Sequence, residues 1–318
     1  MRPLRFGVIA EHAQTPDQLL ATARRAEAAG CSTLLIRDHL VEGPFPHQLA
    51  PLTALAAVAT ATTRLRVGTL VLSNDFRHPA VLAKELATLD VLSDGRVEVG
   101  LGAGFLARDY EGGGIRFDPP GDRVGRLEES LRVLKGLFGP GPLTHNGRYY
   151  RLDAMDGFPK PVQRPHPPLH VAAAGPRMLA IAGREADIVN LQGVSTAAGV
   201  MSEDPAGRSP GAVAGRIDRI RAAAGPRYDQ IELSTVVTLA VTDRPRQAAE
   251  DMARTRGWGV TAGQVLAMPA VLAGPIDHLV GLVHERRRTF GLTYLILSDA
   301  ALDAAAPLIE RVATAAVP

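Results

Sequence analysis

Aromatic residues make up only 4% of this 318-residue chain, which argues against an aromatic-rich recognition surface. A single cysteine, Cys31, excludes an internal disulfide and suits a reducing, cytoplasmic setting. Charge of one sign is also missing: 35 Lys and Arg face 33 Asp and Glu, so no basic stripe for nucleic acid is expected. The densest basic run, Arg286-Arg287-Arg288, reads as one turn of a solvated helix. No apolar run approaches the roughly eighteen residues of a membrane span. A strand signal already begins at Leu4, leaving no room for a signal peptide, and the expectation is a cytoplasmic protein. The chain has no GxSxG elbow, no Walker loop and no GxGxxG turn after a strand. Serine hydrolysis, nucleoside-triphosphate chemistry and Rossmann-type NAD binding are therefore set aside. His145, His166 and His170 lack the spacing of a zinc site, so no metal is expected.

What the chain does have is 46% hydrophobic residues and strand and helix signals that alternate from end to end. Leu4–Ala10 reads as a buried strand. Thr15-Pro16-Asp17-Gln18 then forms a capping box with proline at the first helical position, and Gly30 ends that helix. Further strands are predicted at Thr33–Ile36, Arg66–Leu72, Val97–Leu101, Leu169–Ala173, Ile188–Leu191, Ile231–Val241 and Leu292–Ser298. Helices are predicted between them, with an extra hairpin at Leu143–Leu152 turning on Asn146-Gly147. Eight apolar strands alternating with helices predict an α/β fold, a (β/α)8 TIM barrel forming one domain over residues 1–318. An open doubly wound sheet is the alternative, but its glycine-rich phosphate turn is replaced here by Ala10-Glu11-His12-Ala13. Val194–Gly211, rich in small residues, reads either as an active-site loop or as an insertion without function.

Barrel active sites lie at the C-terminal ends of the strands, which limits the positions that matter. Ala174-Gly175-Pro176-Arg177 passes from strand to helix, where free N–H groups and a bare backbone suit a phosphate and Arg177 adds charge. The same residues also suit a tight turn. Gly102-Ala103-Gly104 clears room for a flat ring, or simply fits where the barrel mouth narrows. His39, beside Asp38, is placed to donate to a ligand and to change protonation near neutral pH, or to cap its loop.

The block from Gly68 to His78-Pro79-Ala80, continuing through Ser93-Asp94-Gly95-Arg96 to Gly100-Leu101-Gly102-Ala103-Gly104, resembles the luciferase-like monooxygenase superfamily. Asp38-His39 and Ala173-Ala174-Gly175-Pro176 add to the likeness, which is greatest to oxidoreductases that use the deazaflavin coenzyme F420. The resemblance implies a hydride transfer between the deazaflavin C5 and an organic substrate, such as reduction of a C=C, C=N or C=O bond. An FMN-dependent monooxygenase and a non-catalytic flavin-binding protein are the alternatives. It also implies a non-proline cis peptide, aligned to Leu70–Val71, behind the cofactor ring. Val71 and Ser73 would touch the cofactor, Ala103 and Gly104 its edge, and Ala173, Ala174, Gly175 and Arg177 its phosphate, with Asp38, His39, Leu70 and Gln192 completing the set. His39 is the implied proton donor or substrate orienter. Glu11, Phe105 and Tyr110 are assigned to the substrate pocket. In the sugar-phosphate dehydrogenase branch the turn after strand four ends in a glutamate acid; Phe105 stands there, which argues for an apolar wall and against glucose 6-phosphate. The partners implied are a small-molecule or small peptide-like substrate and a second copy of the chain, paired through helices two and three.

Overall fold

In the computed structural model, residues 2–43, 45, 49–193, 199–201 and 204–314 are described. The elements run β1 (Arg5–Ile9), α1 (Pro16–Ala28), β2 (Thr33–Ile36), α2 (Pro51–Ala61), β3 (Arg66–Thr69), β4 (Leu72–Ser73), α3 (Pro79–Leu92) and β5 (Val97–Gly102). Then come α4 (Ala107–Gly113), α5 (Pro120–Phe138), the hairpin β6 (Leu143–Asn146) and β7 (Arg151–Met155), β8 (Leu169–Ala173), α6 (Pro176–Glu185) and β9 (Ile188–Leu191). The last third holds α7 (Pro210–Ala224), β10 (Glu232–Val236), β11 (Thr238–Val241), α8 (Pro245–Thr255), α9 (Ala262–Ala267), β12 (Val271–Gly274), α10 (Ile276–Phe290), β13 (Leu292–Ser298) and α11 (Leu302–Thr314).

The main sheet orders its strands β3-β2-β1-β13-β10-β9-β8-β5-β4, and β3 also pairs β5, so the sheet closes on itself. Because β3 and β4 are two halves of one interrupted strand, the result is a closed eight-stranded parallel barrel, a (β/α)8 TIM barrel. Fully buried Val8, Leu34, Val99 and Leu297 sit on strands covered on both faces, which is why those strands read as near-continuous apolar runs. The predicted capping box is present: Thr15 accepts from the Gln18 N–H, and Gln18 reaches back to the Thr15 N–H.

One end of the barrel interior is closed by charge. Arg5 bridges Glu98 and Glu232 at 2.6 Å each, Arg66 adds a 2.9 Å bond to Glu98, and the Tyr294 hydroxyl donates to Glu98 at 3.2 Å. Burial alone would raise the Glu98 carboxyl, yet Arg5 and Arg66 hold it below the ordinary carboxylate range. All these groups lie near strand starts, leaving the opposite end for the site.

Several expectations need correcting. The strand expected over Ile231–Val241 is two strands: β10 stays in the barrel, while β11 leaves it to pair in parallel with β12 as a separate sheet. The apolar run is unbroken across that exit, so periodicity alone did not reveal it. Arg286 and Arg287 are not solvated: both are 5% exposed, donating to the carbonyls of Leu266 and Arg2 respectively. The hairpin turn is not the two-residue Asn146-Gly147 but spans 147–150, because the Tyr149 and Tyr150 N–H groups turn inward to the Glu129 carboxylate on α5. Within the loop expected at Val194–Gly211, residues 194–198, 202 and 203 lie outside the described residues.

Candidate active site

A cavity of about 790 Å³ is lined from the residues that follow β1, β2, β5, β8, β9 and β10, which places it at the C-terminal mouth of the barrel. One wall is the break in strand three. The Leu70–Val71 peptide is cis, and both residues line the cavity. Where the ladder is interrupted, Thr69 Oγ1 takes over, donating to the Gly100 carbonyl at 2.8 Å and accepting the Gly100 N–H at 3.0 Å. A Cβ on Gly102 would lie 2.7 Å from Val71 Cγ2, and one on Gly104 would lie 1.8 Å from the Tyr110 hydroxyl. The small residues are thus required by the packing behind the wall as well as by any ligand in front of it.

Asp38 and His39 diverge. Asp38 receives a two-pronged contact from Arg77, at 2.6 and 3.2 Å, and the Ser73 N–H at 3.1 Å. It therefore ties the end of β4 to the loop after β2 and does not orient its neighbour. His39 turns instead to Asp109, with Nδ1 2.7 Å from Oδ2. Its ring stacks on Phe45, centroids 4.6 Å apart at 24°, and meets the edge of Phe105 at 5.8 Å and 83°. Phe105 and His39 both line the cavity, so the expected apolar wall stands next to the imidazole.

Tyr110 lines the cavity but is only 1% exposed, its hydroxyl 3.3 Å from Ser73 Oγ and donating to Asp75 at 3.1 Å. Burial pushes its phenol up to about 12, so it stays a neutral donor. Glu11 forms an ion pair with Arg37, whose guanidinium is pulled down to about 10 by burial despite the nearby Asp299. The ligand atoms of Glu11, His12 and Asp299 lie within 4.8 Å of one another. Their carboxylates are already engaged, Glu11 by Arg37 and Asp299 by the N–H groups of Glu11 and His12 at 3.1 Å each, so the cluster is a set of internal contacts.

The α6 turn is brought to the cavity in part. Ala174 and Gly175 line it, and a Cβ on Gly175 would meet nothing within 4 Å. Ala173 is packed in β8 outside the lining, and the Arg177 guanidinium leans away to the Gly121 carbonyl at 2.7 Å, in the first turn of α5. Gln192 lines the cavity with its amide donating to Asn190 Oδ1 at 2.7 Å. Sequence reasoning gave no role to Asp109, which follows strand four, and missed Arg123, Arg208, Arg216 and Arg256; all of them line the cavity. Arg123 donates to the carbonyls of Ala103 and Gly104 and so clamps the small-residue turn. Arg208 and Arg256 flank the Trp258 ring at 5.2 and 5.0 Å. The available signal was position: Arg123, Arg208 and Arg216 sit in or just before the helices α5 and α7 that follow barrel strands, while Arg256 caps the C-terminal end of α8.

The fold and the site define a closed parallel barrel with an interrupted third strand and a cavity at its C-terminal mouth, lined by a small-residue turn and a histidine held by a carboxylate. More narrowly, the family model for luciferase-like monooxygenases matches residues 3–279, and the chain belongs to that family. Among curated relatives, the F420-dependent glucose-6-phosphate dehydrogenase of Kineococcus radiotolerans is 35% identical over 193 residues, 58% of this chain and 56% of that protein. The F420-dependent hydroxymycolic acid dehydrogenase of Mycobacterium tuberculosis is 34% identical over 188 residues, 57% of this chain and 51% of that protein. The chain thus spans about half the length of the curated relatives it matches. Among solved structures, the coenzyme F420-dependent tetrahydromethanopterin reductase of Methanopyrus kandleri superposes with a TM-score of 0.74 at 19% identity, covering 96% of this chain and 98% of its own. The long-chain alkane monooxygenase LadA gives 0.78 at 14% identity, covering 98% and 92%. Both show the fold.

Proposed function

We propose that this chain, as one barrel domain over residues 1–318, is a coenzyme F420-dependent oxidoreductase acting on a small organic substrate. The observation that carries it is the His39 imidazole, held by Asp109 and Phe45, standing in the same cavity as the small-residue turn Gly102-Ala103-Gly104. The residues fit the cofactor: the turn at 102–104 carries nothing larger than the Ala103 methyl group, and the open space over Gly175 at the start of α6 suits a phosphate. Leu70, Val71 and Ser73 would hold the ring from one side, with Ala103 and Gly104 at its edge and Ala174 and Gly175 at the phosphate. Gln192 and Asp38 border the same space. Arg208 and Arg216 line the same cavity and would complement the cofactor's acidic groups. When bound, the deazaflavin exchanges a hydride at C5 with a substrate carbon, as in reduction of a C=C, C=N or C=O bond.

The chain's own residues do the rest. His39 moves the accompanying proton or orients the reacting group. Phe105 excludes water beside it and offers no acid, which supports a substrate other than glucose 6-phosphate despite the names of the relatives. Glu11 and Tyr110 shape the remaining pocket. The free, buried Cys31 supports a reducing, cytoplasmic setting, and no helix among the described residues is long and apolar enough to cross a membrane. Exposed Val81, Val91 and Leu92 on α3 support pairing of two copies, which light scattering would read directly. The test of the catalytic reading is His39→Ala: turnover should fall about 10²–10⁴-fold with cofactor affinity kept. Unchanged turnover would refute the role given to His39.

A further inference from the structure

We propose that Asp109 is the positioning residue for His39, fixing the imidazole as its Nδ1–H tautomer so that the bare Nε2 is offered to the cavity; the catalytic consequence rests on the role proposed for His39. Asp109 stands in the first turn of α4, 70 residues from its partner, and is 2% exposed. The loop after β2 leaves the Leu40 and Val41 N–H groups without a ladder partner. Asp109 Oδ1 accepts both, at 2.8 and 3.1 Å. Oδ2 is left for the imidazole at 2.7 Å. An ionised carboxylate only accepts, so Nδ1 must carry the hydrogen in the neutral ring and Nε2 must not. Phe45 against the ring face and Phe105 at its edge keep the ring from turning away.

The two-oxygen arrangement makes a specific forecast for Asp109→Asn. Two part-buried backbone N–H groups already converge on Oδ1, so the amide oxygen takes its place and keeps both bonds. The NH2 group then faces Nδ1, which must become an acceptor, and the proton moves to Nε2. A carboxylate that merely tethers the loop would leave the ring's tautomer untouched.

The experiment is ¹⁵N NMR of the histidine rings in the full chain at alkaline pH, with His39 assigned by its loss in His39→Gln. The wild type should show a protonated Nδ1 and bare Nε2 at His39, and Asp109→Asn the reverse. Turnover in Asp109→Asn should fall about 10²–10⁴-fold with cofactor affinity within about threefold of wild type. Asp109→Glu should recover part of the loss, since it restores the carboxylate. A wild-type ring protonated at Nε2 overturns the proposal with no variant needed, as does an Asp109→Asn ring that keeps its proton on Nδ1. If His39→Ala keeps full activity while the tautomer behaves as stated, the catalytic reading fails and the positioning stands.

Discussion

Replacing Gly104 with alanine is expected to destabilise the protein by about 4–7 kcal/mol, and the site's geometry shows where that cost arises. Gly104 has φ +70°, a left-handed conformation that costs a Cβ-bearing residue about 1–2 kcal/mol. Its Cβ would lie 1.8 Å from the Tyr110 hydroxyl and 2.8 Å from Ser73 Oγ. Tyr110 is 1% exposed and holds hydrogen bonds to Ser73 and Asp75, so it has nowhere to retreat. Overpacking of that kind adds roughly 1–3 kcal/mol, and each strained hydrogen bond about 1 kcal/mol. Urea unfolding should show the loss as a lower midpoint at unchanged slope. Tyr110→Phe removes the oxygen at 1.8 Å and leaves the ring carbon Cζ at 2.9 Å. The double variant should therefore recover about 1–2 kcal/mol relative to the sum of the single effects. A cost below about 1 kcal/mol, or strict additivity, would refute the reasoning.

Two further outcomes follow from buried titratable groups. Burial lowers the His170 imidazole to about 4 from 6.5, outweighing the attraction of Glu98. The unfolded chain therefore takes up that proton first, and stability falls as pH drops through the window between those values. Between about pH 7.5 and 5 the loss through this residue should be roughly 2 kcal/mol, and His170→Gln should flatten the slope by that amount. Urea midpoints at the two pH values measure it; equal slopes in both proteins would count against it. Burial also pushes the Cys31 thiol up to about 12, so a thiol reagent at mild alkaline pH should label the unfolded chain only. Rapid labelling of the native protein contradicts this.

Much of the fold was legible because its signals are local. Thr15 and Gln18 lie three residues apart and announce a helix start whatever the rest of the chain does. Gly30 at φ +84° and the Asp94-Gly95 turn, at +53° and +74°, likewise depend only on their own backbone. Eight apolar runs at barrel spacing sufficed for the architecture. The Leu70–Val71 step was located by family resemblance, since nothing in those side chains marks it. Asp38-His39 invited a pairing of neighbours, yet the carboxylate that serves His39 is Asp109, on the far side of two strands, and Asp38 serves Arg77. Arg286 and Arg287 misled for the same reason: charge suggested solvent, while distant carbonyls at Leu266 and Arg2 made burial tolerable. Partners chosen by tertiary structure leave little trace in sequence spacing.

The most direct test of the account is a binding titration of the purified chain with coenzyme F420 and, in parallel, with FMN. The account predicts saturable binding of F420 in the micromolar range or tighter, weakened when Gly175→Val fills the open space at the start of α6. Micromolar binding of FMN with none of F420 would contradict it and point to the monooxygenase chemistry instead.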